Sequence, residues 1–150
     1  MKKFLLMGLL LAGACRTQTI EVPGTAPVPV SPIAIAPRPA VEAFLAAIRA
    51  QDLQALSLAW GDKDGPIRDS KKLSREEVEQ REIILSRCFK HDSFRILGEA
   101  PVPGNERVFQ VELVRGTLTR VTDFFTARGP DRWYVREAKL EPVKDLCAAK

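Results

Sequence analysis

The chain of 150 residues lacks the residue sets on which most metal and nucleophile sites are built. It contains one His and three Cys, whereas a zinc site typically takes four ligands at characteristic spacings. It has no G-x-S-x-G turn that would expose a serine nucleophile and no glycine-rich phosphate loop. We therefore predict no metal and no cofactor, and a non-enzymatic function rather than an enzymatic one.

The chain also lacks a strong excess of one charge. Its 23 Lys and Arg side chains exceed the 19 Asp and Glu by 4. Lys2 and Lys3 belong to a leader segment, and without them the balance is 21 against 19, a net charge of +2. The Lys71-Lys72 pair is followed by acidic residues that indicate a mixed, solvated helix face, namely Glu76, Glu77, Glu79 and Glu82. The composition predicts no nucleic-acid partner.

Long apolar runs are missing as well. The uncharged stretch from Phe4 to Ala14 has 11 residues, whereas a helix that crosses a bilayer needs about 20. A basic pair followed by a short apolar run is typical of a secretory signal. The stretch ends in Leu11-Ala12-Gly13-Ala14-Cys15, which resembles the lipobox of bacterial lipoproteins.

This resemblance implies that residues 1–14 are removed and that Cys15 carries a diacylglyceryl group and an N-linked acyl chain such as palmitate. Several acyl chains on one residue would anchor the protein firmly in a membrane. Arg16, rather than Asp, follows the Cys, a pattern that resembles outer-membrane lipoproteins. We expect a lipid-anchored protein of the bacterial cell envelope, at the outer membrane and facing the periplasm. An ordinary secretory signal that releases a soluble protein is the alternative.

Residues 15–39 read as the lipidated Cys and a proline-rich tether. Six of the chain's 11 prolines lie in this segment, and their missing amide donors and restricted φ angles disfavour helix and central strand. Positions 16–39 in a polyproline II conformation would reach at most about 75 Å. We interpret the segment as a spacer; a ligand for a proline-binding groove, or a strand added to a partner, is the alternative.

Residues 40–150 are predicted to form one α+β domain. Val41, Phe44, Leu45 and Ile48 share one helix face. Asp52 is the predicted N-cap of a second helix, and Ser74 and Glu77 form a capping box for a third helix that runs to about Lys90. Alternating apolar residues after His91 then indicate antiparallel strands. The expected architecture has three N-terminal helices packed on a curved, mostly antiparallel sheet.

Two segments carry a family resemblance. FLAAIRAQDLQALSLA at Phe44–Ala59 and RWYVREAKLEP near the end are similar to the opening helix pair and the last strand of the nuclear transport factor two-like superfamily. This cone-shaped α+β fold is shared with ketosteroid isomerases and polyketide cyclases. The resemblance implies a pocket between sheet and helices, and an open sheet face that often forms a homodimer.

Cysteine usage predicts one covalent bond. If Cys15 is lipidated, Cys88 and Cys147 remain as an even pair in an oxidising compartment. We predict a disulfide that ties an otherwise fraying C-terminal tail to the third helix, with Cα atoms about 4.4–6.8 Å apart. Two buried free thiols are the alternative.

Candidate pocket residues follow from the resemblance. Weak catalytic candidates are Asp123, Tyr134 and His91, and candidates for lining a pocket are Trp60, Arg120, Trp133 and Arg136. We interpret His91 as a solvated residue at the helix-to-strand junction. For Asp123 we favour ion pairs on the solvated sheet face over a role as general base.

The sequence therefore leads to three functional hypotheses. The first is an envelope lipoprotein that binds a small apolar ligand or an envelope protein. The second is an isomerase, hydratase or cyclase that uses the cone pocket. The third is a structural interaction module of an envelope complex.

Overall fold

The computed structural model describes residues 34–148. The predicted signal peptide, Cys15 and the tether up to residue 33 lie outside the described residues. Within that range the protein is α+β, with four α-helices, a four-stranded antiparallel sheet and a two-stranded hairpin. The helices are α1 (Pro37–Ala50), α2 (Leu53–Ala59), α3 (Arg75–Cys88) and α4 (Lys144–Ala148). The strands are β1 (Gly61–Asp62), β2 (Gly65–Pro66), β3 (Ser93–Val102), β4 (Glu106–Arg115), β5 (Leu118–Arg128) and β6 (Trp133–Ala138).

Helix α1 begins three residues before the domain boundary that we predicted at residue 40. Pro37 and Pro39 both lie in its first turn, where the amide of a helical residue has no intrahelical partner and proline is tolerated. Ala34, just before the helix, is buried, and its carbonyl accepts a hydrogen bond of 2.8 Å from the Trp133 amide. Part of the predicted tether thus packs on the domain.

The predicted helix caps are confirmed. Asp52 Oδ1 accepts a hydrogen bond from the Ala55 amide at 3.0 Å and starts α2. Ser74 and Glu77 form the reciprocal capping box of α3, with distances of 3.2 and 2.8 Å. These bonds satisfy amides that would otherwise lack partners at the helix N-termini.

The main sheet is a simple meander in the order β3-β4-β5-β6. The alternation predicted for β4 is confirmed, because Phe109, Val111 and Leu113 are all buried on one face. On β5 the buried face carries Thr122, Phe124 and Thr126. The opposite face is solvated and holds cross-strand ion pairs, such as Arg95 with Glu112 at 3.1 Å.

Aromatic rings fill the space between the sheet and the helices. Phe124 packs edge-on against Phe44 of α1 and against Phe89 after α3, with ring centroids 6.0 and 5.4 Å apart. Helix α1 contacts β4, β5 and β6, and its Phe44, Leu45 and Ile48 are fully buried. The interior between α1 and the sheet is therefore packed with side chains.

A short hairpin lies between α2 and α3. Strands β1 and β2 pair with each other next to β6. The Tyr134 ring fits between the backbones of Gly61 and Gly129, where an added Cβ would lie 2.6 and 2.4 Å from ring atoms. Glycine is therefore required at both positions for the hairpin and the β5–β6 turn to approach the ring.

The C-terminal tail folds back on the domain as helix α4. Val143 and Leu146 are fully buried, so the tail packs on the domain through these side chains as well as through the covalent bond. The structure joins Cys88 to Cys147, the predicted pair, with the Sγ atoms 2.15 Å apart. Their Cα atoms are 3.9 Å apart, closer than the predicted range, and α3 and α4 pack against each other.

Candidate functional site

An apolar groove of about 350 Å³ lies beside β6. It is lined by Trp60, Ile84, Leu85, Ala138 and Leu140, with Arg81, Arg136 and Glu137 beside them. Ile84 is 48% exposed and Leu140 37% exposed, although both are large aliphatic side chains. Ile84 is thus an apolar residue of α3 that the packing of the helix leaves about half exposed. We refer to these residues as the apolar groove.

The charged residues of the groove give it an electrostatic character. Arg136 forms ion pairs with Glu106 at 3.0 Å and Glu137 at 3.3 Å, and its guanidinium lies 5.8 Å from the Phe125 ring centroid. Its charge is therefore largely matched by two carboxylates. Arg81 forms no salt bridge with any other residue in 34–148, although its charge acts on the Glu77 carboxyl group one helical turn earlier, and it places a positive charge beside the apolar surface.

Two of the four predicted pocket residues, Trp60 and Arg136, meet in this groove. Trp133 lies elsewhere, in a cavity of about 50 Å³ beside Ala34 and Leu58. Arg120, also predicted to line a pocket, is not among the residues that line the groove or this small cavity. Its guanidinium instead forms an ion pair with Asp145 of α4, because the tail helix covers that end of the sheet.

The catalytic candidates on the sheet do not converge. Asp123 lies opposite Gln110 on the solvated face of the sheet, and its backbone carbonyl accepts a hydrogen bond of 2.9 Å from the Lys139 amide. Tyr134 is buried, and its hydroxyl donates to Asp131 at 2.7 Å. Burial, with the hydrogen bond to that carboxylate, raises the pKa of Tyr134 to about 12. This tyrosine is therefore a neutral structural donor at neutral pH.

His91 is buried rather than solvated, so our interpretation of it was wrong. Its side chain is 3% exposed. Nδ1 donates to the Phe89 carbonyl at 2.8 Å, and the ring packs edge-on against Phe94 at 5.5 Å. Nε2 has no hydrogen-bond partner among the described residues. Burial lowers the pKa of His91, and the imidazole therefore serves as a neutral packing residue.

A second cavity, the polar cleft, has a volume of about 360 Å³ and lies between α2, the 3₁₀ turn at Ile67–Asp69 and α3. Its lining residues are Gln54, Ser57, Arg68, Asp69, Arg75, Val78, Glu79 and Glu82. Glu82 is only 4% exposed, which corrects the prediction that it belongs to a solvated face. Its carboxyl group is 2.5 Å from Ser57 Oγ, and burial raises its pKa.

Sequence periodicity could not single out Glu82. A glutamate among four acidic residues on one helix has the appearance of solvated surface. The only local signal is Ser57, a small polar residue on the helix that faces α3, and its pairing depends on how α2 and α3 pack.

The described residues contain neither a cluster of metal ligands nor a membrane-spanning helix. Residues 34–148 contain no group of three or more His, Cys, Asp or Glu side chains placed to hold a metal ion. In the same range no helix has the length and apolar character needed to cross a membrane.

Comparison with known proteins finds similarity only to solved structures. No family model matches the chain, and no curated protein matches it. An NTF2-like protein of unknown function from Cytophaga hutchinsonii is 14% identical, with a TM-score of 0.43, over 73% of this chain and 96% of that one. A protein from Thiobacillus denitrificans, described as a calcium/calmodulin-dependent protein kinase type II association domain, is 16% identical. Its TM-score is 0.46, over 69% of this chain and 92% of that one. The first is described by the name of the superfamily that the sequence resembles.

Proposed function

We propose that the protein is a lipid-anchored lipoprotein of the bacterial cell envelope whose domain binds a small apolar ligand without catalysing a reaction. The lipobox-like run that ends at Cys15 supports the anchor. A proline-rich segment between Cys15 and the domain suits a spacer. Arg16 after the Cys supports the outer membrane, facing the periplasm.

The cone-like arrangement belongs to the same proposal. Three helices, α1 to α3, precede the sheet in the chain, and α1 lies on β4, β5 and β6. In this proposal the sheet curves around these helices. Because phenylalanine rings fill the space next to α1, we place the ligand in the apolar groove and not in the interior of the cone.

The observation that carries ligand binding is the groove itself. Trp60 and Leu85 form an apolar wall, and Ile84 and Leu140 expose aliphatic surface that a ligand would cover. A cavity of this size is typical of small-molecule sites, which combine an apolar lining with a few polar groups. The positive charge of Arg81 beside the groove favours a ligand with an acidic end, and we propose an amphiphile such as a medium-chain carboxylic acid.

Tryptophan fluorescence tests the ligand site. We expect decanoate to change the emission of Trp60 in a saturable way, and the change to persist in a Trp133→Phe variant because Trp133 lies outside the groove. Ile84→Asp should abolish binding because it places a carboxylate on the apolar wall. Ile83→Asp is the matched control, since Ile83 is exposed on the same helix but does not line the groove. An equal loss of binding in both variants would refute the assignment to the groove.

Fractionation tests the anchor. Cys15→Ala should move the protein out of the membrane fraction, and the N-terminal peptide of the wild type should carry the mass of its acyl chains. If Arg16 supports outer-membrane sorting, Arg16→Asp should retain the protein in the inner membrane. Unchanged fractionation of Cys15→Ala, together with an unmodified N-terminal peptide, would exclude the anchor.

An interaction module is the second candidate, favoured by the filled interior and by the exposed aliphatic surface at Ile84 and Leu140. In that case the same groove would take apolar side chains of an envelope protein or of a second copy. Decanoate would then show no saturable binding, and Ile84→Asp would disrupt the complex isolated from membranes. The enzymatic alternative would require turnover of an isomerase, hydratase or esterase substrate that is lost in Asp123→Asn.

A further inference from the structure

The polar cleft contains a buried carboxyl group that the proposed ligand site does not use. Glu82 is the one buried charged side chain of the cleft lining, whereas Arg68, Asp69, Arg75 and Glu79 are all exposed. Burying an ionised carboxylate is costly unless it has compensating partners. Within residues 34–148 the side chain of Glu82 hydrogen-bonds to the Ser57 hydroxyl, a neutral group.

Each of the two arginines that line the cleft has another carboxylate of the cleft beside it. Arg75 pairs with Glu79 one helical turn later, at 2.8 Å. Arg68 lies near its neighbour Asp69, with Nε and Oδ1 3.6 Å apart. An ionised Glu82 therefore gives the cleft lining three carboxylates against two arginines, and Arg68 acts on Glu82 as well as on Asp69.

We propose that the polar cleft binds a small organic cation, an ammonium or guanidinium group, on the Glu82 carboxylate. The positive charge of the ligand would balance the third carboxylate of the cleft. Ser57 and Gln54 would offer further oxygen acceptors beside it. An ammonium group carries three donors and a guanidinium five, which suits a site with several acceptors. Charge-assisted bonds of this kind are stronger than bonds between neutral groups.

Other ligand classes fit less well. A bare divalent ion needs several anionic ligands, and the described residues offer no group of three potential ligands in one place. An anion would have to displace a carboxylate from Arg68 or Arg75 while lying close to Glu82. A neutral polar molecule would leave the excess negative charge of an ionised Glu82 in the cleft.

Protonation of Glu82 makes the proposed cation binding dependent on pH. Burial is the main cause of the raised pKa of Glu82, and the Ser57 hydroxyl and the positive charge of Arg68 oppose it. The charged and polar groups that face Glu82 are Ser57 and Gln54 on α2, Arg68 and Asp69 on the 3₁₀ turn, and Arg75 and Glu79 on α3. A bound cation would favour the ionised carboxylate, so binding below the pKa of Glu82 must release a proton from it.

Calorimetric titration of the full chain with butylammonium, butylguanidinium and neutral 1-butanol tests the proposal. We expect saturable binding of the two cations and none of the alcohol. Glu82→Gln retains a hydrogen-bonding group for Ser57 but removes the charge, and it should weaken cation binding at least about tenfold. Glu76→Gln is the matched control, because Glu76 is exposed in the first turn of the same helix and does not line the cleft.

A purely structural role of Glu82 predicts different results. If Glu82 only connects α3 to α2 through Ser57, Glu82→Gln would change the unfolding midpoint but not the affinity for cations. Equal affinity of wild type and Glu82→Gln, or equal titrations with butylammonium and 1-butanol, would overturn the proposal. If Glu82→Gln does not fold, the release of a proton when the wild type binds a cation tests the proposal instead. Binding heats near pH 5 must vary with the ionisation enthalpy of the buffer, and a constant heat refutes the proposal.

Discussion

The Cys88–Cys147 bond should stabilise the protein by constraining its unfolded chain, and Cys147→Ser isolates that effect. The bond joins residues 59 positions apart. The loop-closure model gives a loss of about 4 kcal/mol in the free energy of unfolding when a loop of this size is opened. The native tail should remain in place, because Val143 and Leu146 are fully buried. The Leu146 and Cys147 carbonyls also accept hydrogen bonds from Arg115 and Arg87.

Urea unfolding of the purified protein, oxidised and reduced, measures this loss. The dependence of the unfolding free energy on urea concentration should become steeper in Cys147→Ser and in the reduced wild type, because an unconstrained chain exposes more surface on unfolding. Leu146→Ala, with the bond intact, is the contrasting variant. It should cost about 2–5 kcal/mol through a cavity under α4 and leave that dependence unchanged.

Two results would refute this account. A loss below about 1 kcal/mol in Cys147→Ser would show that the bond constrains little of the unfolded chain. Rapid amide exchange across α4 in the same variant, with the rest of the domain protected, would show that the bond and not the packing of Leu146 holds the tail.

Three further predictions concern single side chains. Because burial lowers the pKa of His91 below its ordinary value of 6.5, the unfolded chain binds a proton that the folded chain excludes. Stability should therefore fall as the pH drops below about 6.5, and His91→Asn should weaken that pH dependence in urea unfolding. Gly129→Ala should cost about 1–3 kcal/mol, because its Cβ would overlap the Tyr134 ring; Gly98→Ala, with open space around the new Cβ, should be nearly neutral. Ser74→Ala should lower the unfolding free energy by about 0.5–2 kcal/mol through loss of the α3 cap, and no change in the thermal midpoint would contradict this.

Local signals in the sequence predicted much of the fold. The caps at Asp52 and Ser74 and the alternation of Phe109, Val111 and Leu113 depend on neighbouring residues alone, and the structure contains them. The Cys88–Cys147 pair followed from counting and compartment. Helix α4 was not predicted, because five residues carry too little periodicity to indicate a helix.

The candidate sites depended on packing that local patterns do not describe. His91 and Glu82 are polar residues in polar stretches. Glu82 is buried where α3 packs against α2, and His91 is buried against the ring of Phe94. Ile84 is the opposite case, because it is an apolar residue of α3 whose side chain is exposed. Arg120 lies on the expected face of β5, but the partner that neutralises it, Asp145, belongs to the unpredicted helix. Tertiary contacts determine which of these side chains are buried, and sequence periodicity alone does not predict those contacts.

The Cys88–Cys147 bond also turns part of the chain into a closed covalent ring that contains all four strands of the main sheet. A single proteolytic cut within that ring, for example at the turn of Gly104 and Asn105, would leave every fragment attached to the segment that carries Cys15. A cut between α2 and α3, outside the ring, would instead release the whole sheet. If the protein is anchored through Cys15, as we propose, the ring determines which cuts detach a fragment from the anchored segment and which detach one only after the bond is reduced.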